Sequence, residues 1–543
     1  MNKKSIILGL AAIVAAGTVT SCSNKKNVEV LVPEDIKLSE LTSKYNENSP
    51  LTIEFWSGFG QSMTNFVEKQ LNLFQLEYPY IKVIHEGQGG YDGVNAAVIN
   101  ALQADKYPDL VVGYPDHFAS YIASNIQYSL DKFIEDAEVG MDLSLFNPQY
   151  MKENQSLMYK DEAKTKPYTM GIPFNKSTEV MVYNVEFFEA FDLQVPSTWD
   201  EAVAVGTQVR QILADQNLFG TKFTKENNGK KYSFDFTYVT SDNFYPLSYD
   251  SQANFFITMA RQFGGKYTEM DDIEHGYLAF KDDEHVLEAL NFIRSMHDAH
   301  ILGIPDVWEN SNGYCSKAFM SCQSIMTISS SAGVTNNIGG SVKRVGIAPI
   351  PYKTADKKFV ISQGANLAIL KTTKEKALAS WLLIRFLTGG IECPARDVNG
   401  DYVRIQYNVW DEELGKYQDV MQKVTNREDA TLQNASVEFA IESGYFPVTL
   451  ASENSDRYKN YLNTESESSS SQAKKDAQRI ANTIYIDPDQ NWDKFVDSAF
   501  IGSSAIRTEV GKLIPMVIIG SNRLDPKAAI DRIYQNLAAY VRK

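Results

Sequence analysis

The chain has 543 residues, of which 43% are apolar, 12% aromatic and 22% charged, an ordinary globular composition long enough for two domains with ample cores. Sixty-eight acidic against 52 basic residues give a formal charge of −16 and a pI near 5.0. That balance argues against nucleic acid and against an anionic membrane surface as partners, and leaves a small ligand open.

Met1 to Thr20 reads as a secretory signal: Lys3 and Lys4 form a basic start, Ile6 to Ala16 an apolar core, and Val19-Thr20-Ser21 a small-residue site before Cys22. The apolar run is too short to span a membrane. A cysteine placed there resembles the bacterial lipobox, although Val19 stands where leucine is usual. Cys22 is therefore expected to be the lipidated first residue, with 1–21 removed as signal and 22–49 serving as a flexible tether.

Leu51 to Trp56 reads as a buried strand, followed by a helix from about Gln61 to Glu77, a strand Ile81 to His85, a helix from about Tyr91 to Ala104 and a strand Pro108 to Val112. Strands alternating with helices predict a parallel α/β sheet, whose ligands sit at the carboxyl ends of its strands. Those ends carry Trp56-Ser57-Gly58, Glu86 to Tyr91, and Gly113 to His117.

Thr178 to Tyr183 has the β-branched alternation of a strand between Pro173 and Asn184, and Ser197 or Thr198 caps a helix from Trp199 to Ala214. Further helices are expected over Asp250 to Phe263, Phe280 to His300, Ser316 to Ser324, Lys374 to Leu387, Ser503 to Ile519 and Pro526 to Val541. Asn227-Asn228-Gly229-Lys230 marks a hairpin turn, and Ser329-Ser330-Ser331 ends the strand Ile325 to Ile328. Cys315, Cys322 and Cys393 are expected as buried free thiols, the first two lying too far apart along one helix to bond.

The pattern G-I-P-F-N-x-S-T-x-V-x-x-Y-N at Gly171 to Asn184, with P-x-T-W-D-E at Pro196 to Glu201, resembles the inter-lobe crossing of the carbohydrate-type extracellular solute-binding proteins of ABC importers. Val345 to Pro351 resembles the second crossing, Phe359 to Leu370 the returning strand, and the last helix the family's C-terminal helix. The resemblance implies a periplasmic-binding-protein-like fold of type II, two α/β lobes joined by several crossings. The boundaries expected are 50–175 and 350–388 for the first lobe, and 176–349 and 389–543 for the second, with an insertion at about 389–431.

A sugar or polyol site needs aromatic faces for stacking and carboxylates or amides for paired hydrogen bonds. Trp56, Tyr91, Tyr114 and Tyr445 are candidate platforms, Asp116 the candidate carboxylate, and Ser177 and Thr178 polar candidates on the crossing strand. By resemblance to glycerol-3-phosphate-binding members, Ser330, Ser331, Gly364 with its neighbour Asn366, and Arg507 surround the ligand; Asp242 and Asn243 stand where those members have a tryptophan, which favours a more hydroxyl-rich ligand. The implied protein is a monomeric, exported, lipid-anchored binding subunit. It would hand a sugar or polyol, phosphorylated or not, to permease subunits. No cofactor, metal site or nucleophile motif is read from the chain, so an enzyme is not expected; a surface receptor and a secreted glycosidase are the alternatives.

Overall fold

The structure is a computed structural model describing residues 28–308, 311–412, 414–466, 468–538 and 540. The signal and Cys22 lie outside the described residues. Leu51–Ser57 (β1) alternates buried and half-buried positions, Ile81–Gly87 (β2) alternates at its start as an edge strand does, and Leu110–Gly113 (β3) is buried throughout. β1 pairs in parallel with β2 and β3, and the helices Gln61–Glu77 and Tyr91–Ala101 make the crossovers that parallel pairing requires.

Ile172–Asn184 (β4) runs for 13 residues and is buried at all but one of them. After it come the hairpin Lys222–Asn227 (β5) and Lys230–Asp235 (β6), the short strand Leu247–Tyr249 (β7), and the hairpin Thr268–Asp272 (β8) and His275–Leu278 (β9). Leu302–Gly303 (β10), Met326–Ser330 (β11), Val345–Ala348 (β12) and Lys358–Ile369 (β13) follow. Cys393–Pro394 (β14), Val403–Asp411 (β15), Lys416–Lys423 (β16), Leu432–Gln433 (β17) and Trp492–Phe495 (β18) complete the set among the described residues.

One sheet runs β10-β7-β11-β4-β13-β3-β1-β2, with β12 also on β4 and β18 also on β13. Its two halves meet on β4: residues from Ile172 to Thr178 pair antiparallel with β13, whereas Glu179 to Asn184 pair with β11 and β12. Each half has its own core. The first packs Phe55, Phe74, Trp381 and Leu383; the second packs Trp199, Tyr249, Phe255 and Leu290. This is the two-lobed α/β architecture expected from the sequence. Trp199 opens its helix behind Thr198, whose hydroxyl accepts from the Glu201 N–H at 3.1 Å while the Glu201 carboxylate reaches back to the Thr198 N–H, a reciprocal cap.

Four expectations need correction. The N-terminal segment is not a tether up to residue 49: Leu31 bridges to Tyr128, the helix Leu38–Lys44 buries Leu41 completely, and Lys44 pairs with Glu375 at 2.8 Å. Isolated apolar residues in a charged segment were enough to dock it. Second, the stretch after 389 does not go wholly to the second lobe. Cys393, Ala435, Phe439 and Val448 bury in the first core, with the Phe439 ring 4.9 Å from Phe174 and 5.6 Å from Phe66; the second core takes Phe446 from this stretch and the chain again from Ala473. The inserted hairpin β15–β16 leans on the same lobe, where Arg396 and Arg427 clasp Glu77 at 3.1 and 2.6 Å. Third, the helix expected over Ser503 to Ile519 divides at Gly511 into Ser503–Val510 and Leu513–Ile518. Fourth, the helix expected to reach Ser324 ends at Met320. Cys315, Cys322 and Cys393 are buried free thiols.

Candidate functional site

The strand directions decide where a site can form. The carboxyl end of β3 meets β13 at Asn366, opposite Pro173 of β4, and the carboxyl end of β11 meets β4 at Glu179. Loops from both lobes therefore converge on the segment of β4 between Pro173 and Glu179.

From the first lobe, Gly58 after β1 lies so close to the start of the next loop that a Cβ would sit 2.5 Å from the Gly90 carbonyl carbon and 2.6 Å from the Tyr91 nitrogen. Only glycine fits, and the fit brings Tyr91, at the start of its helix, over β4. Asn175 donates from Nδ2 to the Tyr91 hydroxyl at 2.6 Å, and that hydroxyl is 3.3 Å from the hydroxyl of Tyr445. Tyr114 stands edge-on to Tyr91 with ring centres 5.0 Å apart. Tyr445 is delivered by a loop that pairs with the crossing strand, Phe446 N–H donating to the Lys176 carbonyl at 2.8 Å. All three rings are half-buried, and burial above all raises all three hydroxyl pKa values, helped at Tyr91 and Tyr114 by the Tyr445 hydroxyl and opposed at Tyr445 by its bonds to Tyr91 and Asn175, so they remain neutral donors and acceptors.

From the second lobe comes Arg507. Its guanidinium pairs with Asp497, donates to Asn254 Oδ1, and lies close enough to favour ionisation of Tyr114, Asp92 and Glu179. Glu179, 2% exposed, accepts from the Tyr249 hydroxyl at 2.5 Å and from Asn254 Nδ2 at 2.9 Å. Burial raises its pKa to about 7, against the pull of those two bonds and Arg507. Asp116 sits in the first turn of the helix Pro115–Ala123 and accepts the His117 N–H at 3.0 Å, beside His117, which reaches Asp92 at 3.5 Å.

Of the expected site residues, Tyr91, Tyr114, Tyr445, Asp116 and Arg507 are brought together, and Ser177 and Ser330 lie at the same crossing. Thr178 and Ser331 are spent on structure: the Thr178 N–H donates to Ser331 Oγ at 3.1 Å and its hydroxyl to the Ile361 carbonyl at 2.8 Å. Gly364 is also a backbone residue, with φ +103° and a would-be Cβ 1.9 Å from the Asn175 carbonyl oxygen, and its neighbour Asn366 is fully buried and accepts from Asn154 at 2.8 Å. Trp56 packs sideways among Val94, Val98 and Val111, its indole N–H buried without a partner among the described residues.

Asp242 and Asn243 must be corrected. They precede β7, which runs parallel to β11, so they lie at the end of those strands opposite Ser330. Asn243 closes a turn by accepting the Thr240 N–H at 2.8 Å, and Asp242 is exposed beside Arg210. Sequence reading passed over Asn175, Glu179 and Asn254. The signal for the first two was present, since they bound the polar run Asn175 to Glu179 in the middle of a crossing strand whose flanks are apolar.

A family model described as bacterial extracellular solute-binding protein matches residues 68–390. Solved structures with the same fold include UgpB from Mycobacterium tuberculosis in complex with glycerophosphocholine, with a TM-score of 0.61 at 15% identity, covering 90% of this chain and 98% of that one. The GacH receptor of Streptomyces glaucescens, solved with acarbose, gives a TM-score of 0.60 at 15% identity over 90% and 99%. The maltotriose-bound MalE domain from Bdellovibrio bacteriovorus gives 0.58 at 15% over 90% and 99%. No curated protein matches the chain in sequence.

Proposed function

This chain belongs to the bacterial extracellular solute-binding protein family, and from that premise we propose that it captures a sugar or related polyol in the cleft across β4 and delivers it to the permease of an ABC importer. The observation that carries the reading is the group of neutral hydroxyls, Tyr91 and Tyr445 held over Asn175, facing Arg507 from the other lobe. Such a group exchanges hydrogen bonds with several hydroxyls of one ligand, and the tyrosine faces cover its C–H surface. The structurally similar proteins solved with acarbose and maltotriose support the ligand class.

Phosphate is the poorer fit. Arg507 is already paired with Asp497, and Asp92 and Asp116 stand near it, so an added dianion meets carboxylates as well as the cation. The ligand is therefore a neutral, hydroxyl-rich one, taken up by a monomer that Cys22 anchors to the outer face of the membrane.

Titration calorimetry of the purified chain with maltooligosaccharides, other oligosaccharides, polyols and glycerol phosphates tests the ligand. Saturable binding of a neutral member without turnover is expected; cleavage of a glycosidic bond, or binding confined to the phosphates, overturns the reading. For the anchor, a Cys22→Ala variant is expected in the soluble exported fraction, since no described helix is long and apolar enough to cross a membrane. Its retention in membranes would count against lipidation.

A further inference from the structure

The hairpin β8–β9 belongs to the second lobe yet ends in the first. Its base is held in the second core by Tyr267 and Leu278, and nearer the turn Phe500 of the same core packs on Gly276 so closely that a Cβ there would lie 2.2 Å from a ring carbon. Its tip, Ile273, is 5% exposed and buried in the cluster of Phe118, Ile122 and Leu157, on the first-lobe side of the cleft. Ala499 enters the same cluster, and the Ile501 N–H donates to the Ile273 carbonyl at 2.7 Å. Lys164 of the first lobe donates to the Asp271 carbonyl. Tyr267, just before the hairpin, lies within electrostatic reach of both Arg507 and Asp116, so the contact runs along the rim of the cleft.

We propose that this hairpin is a latch: Ile273 seated among Phe118, Ile122 and Leu157 holds the two lobes together in the ligand-free protein and sets how much of the closed form is present before ligand arrives. The idea rests on the cleft across β4 being the ligand site, but not on which ligand fills it. An apolar tip seated between lobes is removed from water only when they are together, so it biases the equilibrium toward closure. A ligand that also needs both lobes then binds more tightly, because less of its affinity is spent on closing them.

The test needs no ligand. Nitroxide labels at Lys69→Cys and Glu288→Cys, both exposed and one on each lobe, report the separation in a Cys22→Ala chain, whose other cysteines are buried. Ile273→Asp places a carboxylate in that apolar cluster, and is expected to raise the ratio of open to closed populations by about tenfold or more, with Ile273→Ala intermediate. Circular dichroism melts establish that each variant is folded, which is expected because Ile273 belongs to neither large core. A folded Ile273→Asp chain with the wild-type distance distribution overturns the latch. Opening by Ile273→Asp in a protein that binds no oligosaccharide would leave the latch standing and remove the proposed ligand class instead.

Discussion

Lys176 and Glu153 face each other at 2.5 Å with side chains 0% and 3% exposed, so the crossing strand carries an ion pair sealed at the junction of the two lobes. The ammonium also donates to the Gly364 carbonyl at 3.1 Å, and Ser362 reaches the other carboxylate oxygen at 3.4 Å. Burial pushes the Glu153 pKa up and the Lys176 pKa down, each opposed by the other's charge. Removing one partner strands the other in a medium of low dielectric. Lys176→Met is expected to cost about 3–5 kcal/mol in urea unfolding, and Lys176→Met with Glu153→Leu much less than either single change. A double variant as unstable as the sum of the two would mean the pair is not coupled.

Gly364 supplies a second prediction. Its φ of +103° and the 1.9 Å approach of a would-be Cβ to the Asn175 carbonyl make Gly364→Ala both strained and overlapping. The expected loss is about 2–3 kcal/mol of stability. Because the strand that must shift carries Asn175, ligand affinity should fall as well; a variant with native affinity would show that β4 moves there without disturbing the cleft.

Tyr91→Phe deletes the hydroxyl that accepts from Asn175 and touches that of Tyr445, while keeping the ring. A loss of about 1–1.5 kcal/mol in ligand binding is expected, close to tenfold, measured by calorimetry with the ligand that the titration screen identifies. The melting temperature should change little, because the ring packing against Tyr114 and Phe59 is retained.

Much of this architecture was legible beforehand. The order of strands and helices, the crossing strand, the Thr198 cap and the tyrosines came from periodicity, turn residues and resemblance. What was not legible depended on contacts between distant segments: that Phe439 seeks Phe174 and so draws the stretch after 389 to the first lobe, that Leu41 docks the N-terminal segment, and that Asp242 and Asn243 precede rather than follow their strand. Local pattern fixes which face of a strand is apolar. Which end of it faces the cleft depends on the direction of its partners.

Glu179 gives the pH prediction. Its pKa in the folded protein is raised to about 7, above the 4.5 ordinary for a glutamate, chiefly by burial. The folded state therefore holds this proton more tightly than the unfolded one, so its contribution is fully present below about pH 4.5 and is lost as pH rises toward 7. The span corresponds to roughly 3 kcal/mol as an upper figure. Glu179→Gln should flatten the fall in stability between pH 5 and pH 8 in urea titrations. An unchanged slope would place the titration on another group.

The docking of Val28 to Asn48 onto the first lobe bears on the geometry of delivery. Were Cys22 the anchor, as proposed, six residue steps would remain before the chain joins the body at Val28, a reach of about 20 Å at full extension. The body would then be confined to a thin layer above the bilayer instead of sweeping a hemisphere set by a tether of more than twenty residues. Its effective concentration at the proposed membrane-embedded partner would be in the millimolar range typical of short linkers, so that even a weak contact with that partner would be populated between encounters.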